Sequence, residues 1–287
     1  MSTEVQCDVC GQQVWQDYSK RLMKCGICGL VRAKMNPSES ELEQAYKQNY
    51  FFGEEYFDYF QDRPALEKNF KIRLKHLEKL LCLDNALLLE IGCSYGFFLN
   101  LCKNKVKKII GYDITKEGID YAKNELGLDV YCDNFLNYHG ELADVVCLWD
   151  VVEHLPNPNQ VMEKIAASTK IGGYIALTTG DAGAFVARAR KDNWRMVHPP
   201  THLFYFDKQS MTKLLAKHGF KIIYFGHATV YRNVDSVFNQ LISKQQKHGF
   251  SWKVLNFFHN IAKKTGLHKV NFGLNLFDIM EVVAKKE

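Results

Sequence analysis

The chain has 287 residues, of which 47% are hydrophobic and 24% charged. That is the balance of a globular protein with one large domain, or a core domain with appendages. Thirty-seven basic residues against 32 acidic ones leave a formal charge of +5, too weak over so large a surface to argue for nucleic acid alone. No apolar stretch approaches the roughly 20 residues that span a bilayer. The opening MSTEVQCDVC lacks the basic-then-apolar pattern of a secretory leader, so a cytoplasmic protein is expected.

Residues 1–35 carry four of the nine cysteines as Cys7-x2-Cys10 and Cys25-x2-Cys28. A glycine follows each pair, so the chain can turn tightly around a metal. The stretch between the pairs, QQVWQDYSKRLMK, is long enough for a short hairpin. Four thiolates at this spacing predict a tetrahedral Zn2+ site with no open coordination position, hence a structural zinc ribbon. The other five cysteines sit in apolar runs and read as reduced thiols.

Residues 36–82 read as a helical lid or linker. NPSESELEQAY starts a helix, and NYFFGEEYFDYFQDR follows with aromatics that either pack on the core (Phe51, Phe57, Phe60) or close over a ligand (Tyr50, Tyr56). Residues 64–82 have an amphipathic helix pattern. From residue 83 to 287 the chain alternates. Strands are predicted at 86–92, 108–113, 128–132, 143–149, 173–179, 220–229 and 277–285, and helices at 96–105, 116–126, 158–169 and 208–218. Such alternation predicts right-handed crossovers and a mostly parallel sheet. A helical insertion at about 232–275 interrupts it. There WKVLNFFHNIAKK is apolar at Trp252, Leu255, Phe258 and Ala262. Packing on its own domain or on a second subunit is the expected fate of that stretch, with peripheral membrane contact the alternative.

The run LLLEIGCSYGFFL places an acid, Glu90, at the end of a strand, then Gly92-Cys93-Ser94-Tyr95-Gly96 and a helix start. Ligands of doubly wound sheets lie at such turns. The turn reads GxxxG rather than GxGxxG, which disfavours a nicotinamide dinucleotide. The second strand ends at Asp113, about 20 residues past the first glycine, a spacing suited to a carboxylate on ribose hydroxyls. The third ends at Asp133, where an acceptor can receive the exocyclic amine of adenine, with Phe135 near the ring. The fourth ends at Trp149 and Asp150. Read alone, Asp113 could equally cap the helix ITKEGIDYAK, a task Thr115 can also perform, and Asp133 could be a plain turn residue.

These strand ends together resemble the class I S-adenosylmethionine-dependent methyltransferases, over roughly residues 86–230 and the last strand. The resemblance implies a Rossmann-like α/β fold with seven strands, mostly parallel and with an antiparallel last strand. It implies that Glu90, Gly92 and Gly96, with Cys93, shape the pocket for the methionine end of the cofactor. Asp113 and Ile114 would hold the ribose, Asp133, Asn134 and Phe135 would flank the adenine, and Trp149 would line the passage to the transferred methyl. Ser94 stands where many members have glycine. The four-cysteine unit and the HPPTHLFYFD stretch are similar to a branch that modifies sugars or other small metabolites.

The expected activity is methylation, on oxygen, of a small acceptor such as a sugar or a surface-polysaccharide precursor. An RNA or ribosomal RNA methyltransferase and a non-catalytic nucleoside-binding adapter are the alternatives. The former would want a stronger basic face, and WDVV at 149–152 lacks the Asn/Asp-Pro-Pro-aromatic run of amino-group methylases. A hydroxyl acceptor benefits from a general base. His202 is the first candidate, His154 the second and His198 the third. Arg188, Arg190 and Arg195, with Lys191, are placed to grip an anionic acceptor, unless they are a solvated helix face.

Overall fold

A computed structural model of the chain describes residues 5–35, 37, 41, 60, 62–243, 245, 247 and 249–287. Tyr50 and Tyr56, with Phe51 and Phe57, lie outside the described residues. Phe60 is exposed. The chain divides into two compact units, one formed from residues 1–37, 77–228 and 276–287, the other from 38–76 and 229–275.

The first unit is built on a seven-stranded sheet. One of its interior strands is β4 (Leu87–Ile91), LLLEI, buried at every position. Beside it runs β7 (Ala143–Trp149), where only Asp144 is partly exposed. Continuous burial of this kind belongs to parallel strands covered on both faces. β4 pairs in parallel with β7 and with β5 (Lys108–Asp113), and β5 with β6 (Val130–Cys132). β7 pairs in parallel with β8 (Thr169–Gly180). The last strand, β13 (Ile279–Lys286), inserts antiparallel between β8 and β10 (Phe220–His227). The order is therefore β10-β13-β8-β7-β4-β5-β6. The order in which strands are added reverses between β4 and β7, and the carboxyl ends flanking that switch point are where a ligand of an open sheet sits.

The crossovers are short helices. α2 (Phe97–Cys102) buries Phe97, Phe98, Leu99 and Cys102, and α3 (Lys116–Asn124) buries Ile119 and Ala122. α4 (Pro158–Ser168) has Pro158 in its first turn and is capped by the Asn157 side chain, which accepts from the Gln160 N–H at 3.0 Å. α5 (Phe185–Arg190) follows β8. α6 (Lys208–Lys217) opens with a reciprocal Asp207–Ser210 capping box.

The cysteine-bearing segment forms its own small sheet in the same unit. β1 (Trp15–Asp17) and β2 (Leu22–Cys25) make the expected hairpin, and β3 (Val31–Ala33) adds to β2. A fourth strand, β9 (Phe204–Tyr205), comes from the far end of the chain and pairs with β3 through Val31↔Tyr205 and Arg32↔Phe204. Asp192 reinforces this union by accepting from Ser19 Oγ at 2.6 Å and from the Lys20 N–H at 3.1 Å.

The second unit includes most of the helix α1 (Arg63–Leu80), up to residue 76. Its two-stranded ribbon joins β11 (Val230–Asn233) and β12 (Asn271–Leu274). Asn69 clamps that ribbon, its amide accepting from the Tyr231 N–H at 2.7 Å and donating to the Tyr231 carbonyl at 3.1 Å. α7 (Val234–Ser243) and α8 (Phe250–Thr265) pack together through a buried His259–Asp235 contact of 2.6 Å, with Phe238 stacked on the imidazole. On α8, Ala262 is buried while Phe257, Phe258 and Ile261 are exposed beside Lys263 and Lys264. No helix among the described residues is long and apolar enough to cross a membrane.

Candidate active site

The turn after β4 is shaped by backbone conformations that favour glycine. Gly92 and Gly96 have φ of +74° and +71°, and between them Ser94 is at +48°. A Cβ on Gly92 would lie 2.4 Å from Val151 Cγ2, and one on Gly96 would lie 2.5 Å from Leu128 Cδ1. The turn is thus wedged against the segment leaving β7 on one side and against the approach to β6 on the other. The Cys93 thiol is buried; a Cβ on Gly111 of β5 would meet it at 2.8 Å. Burial pushes that thiol well above its ordinary value.

Asp113 fastens the turn to the end of β5. One carboxylate oxygen accepts from the Ser94 N–H at 2.8 Å, and the other from the Thr115 N–H and hydroxyl at 2.8 and 2.5 Å. Burial raises its pKa, against those hydrogen bonds. Each carboxylate oxygen has two lone-pair directions, so these three bonds leave one free, on the oxygen that accepts from Ser94. Ile114, next to it, is exposed. Asp133 and Asn134 are also exposed. Asp133 accepts from the Asn134 N–H at 2.7 Å and from the Asn137 amide at 2.9 Å, while Asn134 caps the following turn. Phe135 is buried, stacked on Tyr138 at 5.8 Å and edge-on to Tyr112 at 6.1 Å. Glu90 and Trp149 are buried, the indole meeting Phe98 edge-on at 5.1 Å.

The same edge of the sheet carries the histidines. Val152–His154 is a short 3-10 turn after β7, and Asp150, at φ +57°, is held there by the Thr178 hydroxyl at 2.9 Å. His154 and His202 lie edge to face with centroids 4.3 Å apart, and His198 is tilted 3.8 Å from His202. His202 is 1% exposed. Its Nδ1 donates to the Met196 carbonyl at 2.8 Å, and its Nε2 is buried without a hydrogen-bond partner. His154 Nδ1 donates to the Thr201 carbonyl at 2.9 Å. Burial lowers both pKa values, His154 to about 4 and His202 well below the ordinary value. Both rings are neutral at physiological pH.

The basic cluster does not act as one. Arg188 and Arg190 are exposed on α5. Arg195 instead grips Asp278 with two bonds of 2.9 and 2.7 Å, while the Trp194 indole donates to the same carboxylate at 2.9 Å. That side chain pins the segment 194–195 to the start of β13. Glu153, passed over in the sequence in favour of its neighbour His154, is 1% exposed, and one ligand atom from each of Glu153, His154 and His202 lies within 4.8 Å of the others. The signal was the Glu-His dipeptide immediately after an apolar strand.

The four cysteines converge as their spacing predicts. Their sulfurs all lie within 4.8 Å of one another, with Cys7–Cys28 at 3.4 Å and Cys10–Cys25 at 3.6 Å. A tetrahedron of Zn–S bonds of about 2.3 Å has edges near ~3.8 Å, so the sulfurs are already close to that arrangement. The cluster suggests zinc.

A sheet of this order, with a glycine turn after its first strand and acids at the ends of the next two, is a Rossmann-like methyltransferase fold. Residues 61–224 match the methyltransferase-domain family, and the chain belongs to it. The fold is shared with the magnesium protoporphyrin IX methyltransferase from Synechocystis bound to S-adenosylhomocysteine, at a TM-score of 0.53 and 12% identity, covering 88% of this chain and 96% of that one. An S-adenosylmethionine-dependent methyltransferase from Archaeoglobus fulgidus superposes at 0.50 with 20% identity, covering 77% and 94%. Among curated relatives, the ubiquinone biosynthesis O-methyltransferase of Coxiella burnetii is 26% identical over 115 residues, which is 38% of this chain and 49% of that protein. The chain thus spans about half the length of the curated relatives it matches.

Proposed function

We propose that the protein methylates an oxygen of a small acceptor, with a sugar or a surface-polysaccharide precursor as the substrate class to try first. The observation that carries this reading is the pair of buried, neutral imidazoles at the carboxyl end of β7. Methyl transfer to oxygen needs somewhere for a proton to go, and His202 Nε2 is a buried lone pair with no other partner. The curated relatives are O-methyltransferases by name, which supports oxygen as the acceptor atom.

In this reading the Gly92–Gly96 turn holds the methionine end of the cofactor, together with Glu90 and the Cys93 backbone. Ser94 Oγ, buried and without a hydrogen-bond partner, fits a cradle for that polar end. Asp113 and Ile114 hold the ribose, Asp133 and Asn134 the adenine edge, and Phe135 backs the ring. Trp149 walls the passage to the acceptor. Bound there, S-adenosylmethionine supplies a sulfonium methyl with a good leaving group. The chain's own residues align the acceptor, which can be worth about 7–11 kcal/mol, and remove its proton at His202 with His154 beside it, worth about 10²–10⁴ in rate. Arg188 and Arg190 are available to an anionic acceptor. The four cysteines hold a structural zinc, and residues 1–35 act as a ribbon whose sheet, through β9, fixes the backbone next to His202.

Incubation with labelled S-adenosylmethionine and a fractionated cell extract tests this reading. Label in an alkali-stable ether of a small molecule is expected. Label only in RNA, or none in any fraction, would contradict it.

A further inference from the structure

We infer that Glu153, His154 and His202 form a second metal site, separate from the four cysteines, that binds a divalent cation of the zinc class. The inference rests on the methyl-transfer reading for its role, though not for its existence. The three side chains are buried, and one donor atom from each falls within 4.8 Å of the others. Two imidazoles and a carboxylate are the donor set of zinc sites that keep a fourth position open for water or substrate, and of two-histidine, one-carboxylate sites for other divalent metals.

The hydrogen bonds select the ring nitrogen. A backbone carbonyl only accepts, so Nδ1 must carry the proton in His154, toward Thr201, and in His202, toward Met196. In a neutral ring this leaves the lone pair on Nε2. Metal-bound histidines are oriented in this way, with the second nitrogen donating to a carbonyl or carboxylate. For His202 the remaining nitrogen is buried and has no hydrogen-bond partner, in a residue 1% exposed. Leaving such an atom buried and unsatisfied is unfavourable, and a cation would satisfy it.

The backbone around the cluster is fixed from two directions. The Leu203 N–H donates to the Glu153 carbonyl at 2.9 Å, and the Tyr205 hydroxyl to the His202 carbonyl at 2.9 Å. The Ala33 N–H donates to the Leu203 carbonyl at 2.9 Å, so the cysteine-bearing sheet braces the segment that carries His202. Those bonds set the ligands before any ion arrives.

With the cation bound, the acceptor hydroxyl takes the open position. Coordination lowers its pKa, as it does for metal-bound water, and its proton leaves to solvent. The O–C bond then forms as the S–C bond breaks, and the electron pair remains on sulfur to give S-adenosylhomocysteine. In the metal-loaded protein His202 is a ligand, and in the metal-free protein the same Nε2 is the proton acceptor proposed above.

The test is the metal content of the full-length protein after loading with Co2+ and desalting, compared with His202→Asn and Glu153→Gln. Each variant is expected to hold one ion per chain fewer than wild type. The lost cobalt should lack thiolate charge-transfer absorption, while any such absorption from the cysteine cluster is retained. Equal cobalt content in wild type and both variants would overturn the site. So would a lost ion that carries the thiolate absorption. Heat of S-adenosylhomocysteine binding, read on the same samples, confirms that the variants are folded and tests the methyl-transfer reading separately. Cofactor heat without a metal difference returns the proton to His202, whereas a metal difference without cofactor heat contradicts the transferase reading.

Discussion

Gly92→Ala isolates the packing of the cofactor turn, because the fold provides its own control. Gly92 and Gly219 have nearly the same backbone conformation, at φ +74° and +79°. An added Cβ at Gly219 meets nothing within 4 Å, whereas at Gly92 it lies 2.4 Å from Val151 Cγ2. Both alanines incur the left-handed penalty of about 1–2 kcal/mol. Only Gly92→Ala adds overpacking, about 1–3 kcal/mol. At about 2–4 °C per kcal/mol for chains approaching this size, Gly92→Ala should melt ~2–12 °C below Gly219→Ala. The displaced turn should also weaken S-adenosylhomocysteine binding, by about tenfold for each 1.4 kcal/mol that reaches the site. Gly219→Ala should leave that affinity unchanged. Calorimetric melting and titration read both effects, and Gly92→Ala/Val151→Ala should recover most of the excess loss. Equal melting of the two single variants, or unchanged cofactor affinity in Gly92→Ala, would refute the close approach of turn and strand end.

Three further outcomes are expected. His202→Asn should lower turnover by about 10²–10⁴ with S-adenosylhomocysteine affinity held; a change confined to KM would remove His202 from the chemistry. Cys7→Ser should loosen the β1–β2–β3–β9 sheet and reduce methyl transfer more than cofactor binding, since that sheet reaches residues 204–205 and not the glycine turn; equal loss of both would contradict the bracing role. Arg195→Met strands the Asp278 carboxylate, whose side chain is 1% exposed. Removing one partner of a buried pair costs up to about 3–5 kcal/mol, less here because Arg195 is partly solvated. Burial alone would raise the Asp278 pKa, yet the Arg195 and Trp194 hydrogen bonds hold it below 3.8. The pair therefore stabilises the fold above that pH and ceases to do so as pH falls through the lowered value. The stability gap between wild type and Arg195→Met should be widest above pH ~4 and should narrow below it. A gap independent of pH, followed by denaturant melts, would rule out this pairing as its cause.

The central sheet was legible because its strands are apolar runs ending in acids. LLLEI and ADVVCLW are read as buried parallel strands without any partner being known, and the sheet found has the expected seven strands with an antiparallel last one. The two cysteine pairs were legible because metal-ligand spacing is local. β9 was not. It has two residues, too few to show a period, and its partner β3 precedes it by more than 170 positions, as in Val31↔Tyr205. Arg195 was read with its charged neighbours, but Asp278 lies 83 positions further on, so nothing local distinguished a buried pairing from a substrate contact. Glu153 was not singled out beside His154. Its burial beside two imidazoles depends on the loop 198–203 folding over it, a tertiary fact without a sequence period.

A crystal structure with S-adenosylhomocysteine tests the central claim most directly. The methionine end should lie against the Gly92–Gly96 turn, the ribose hydroxyls at Asp113 and the adenine edge at Asp133 and Asn134, with the sulfur facing the side of the pocket that carries His154 and His202. Nucleoside bound elsewhere on the chain, or density absent at saturating ligand, would contradict it.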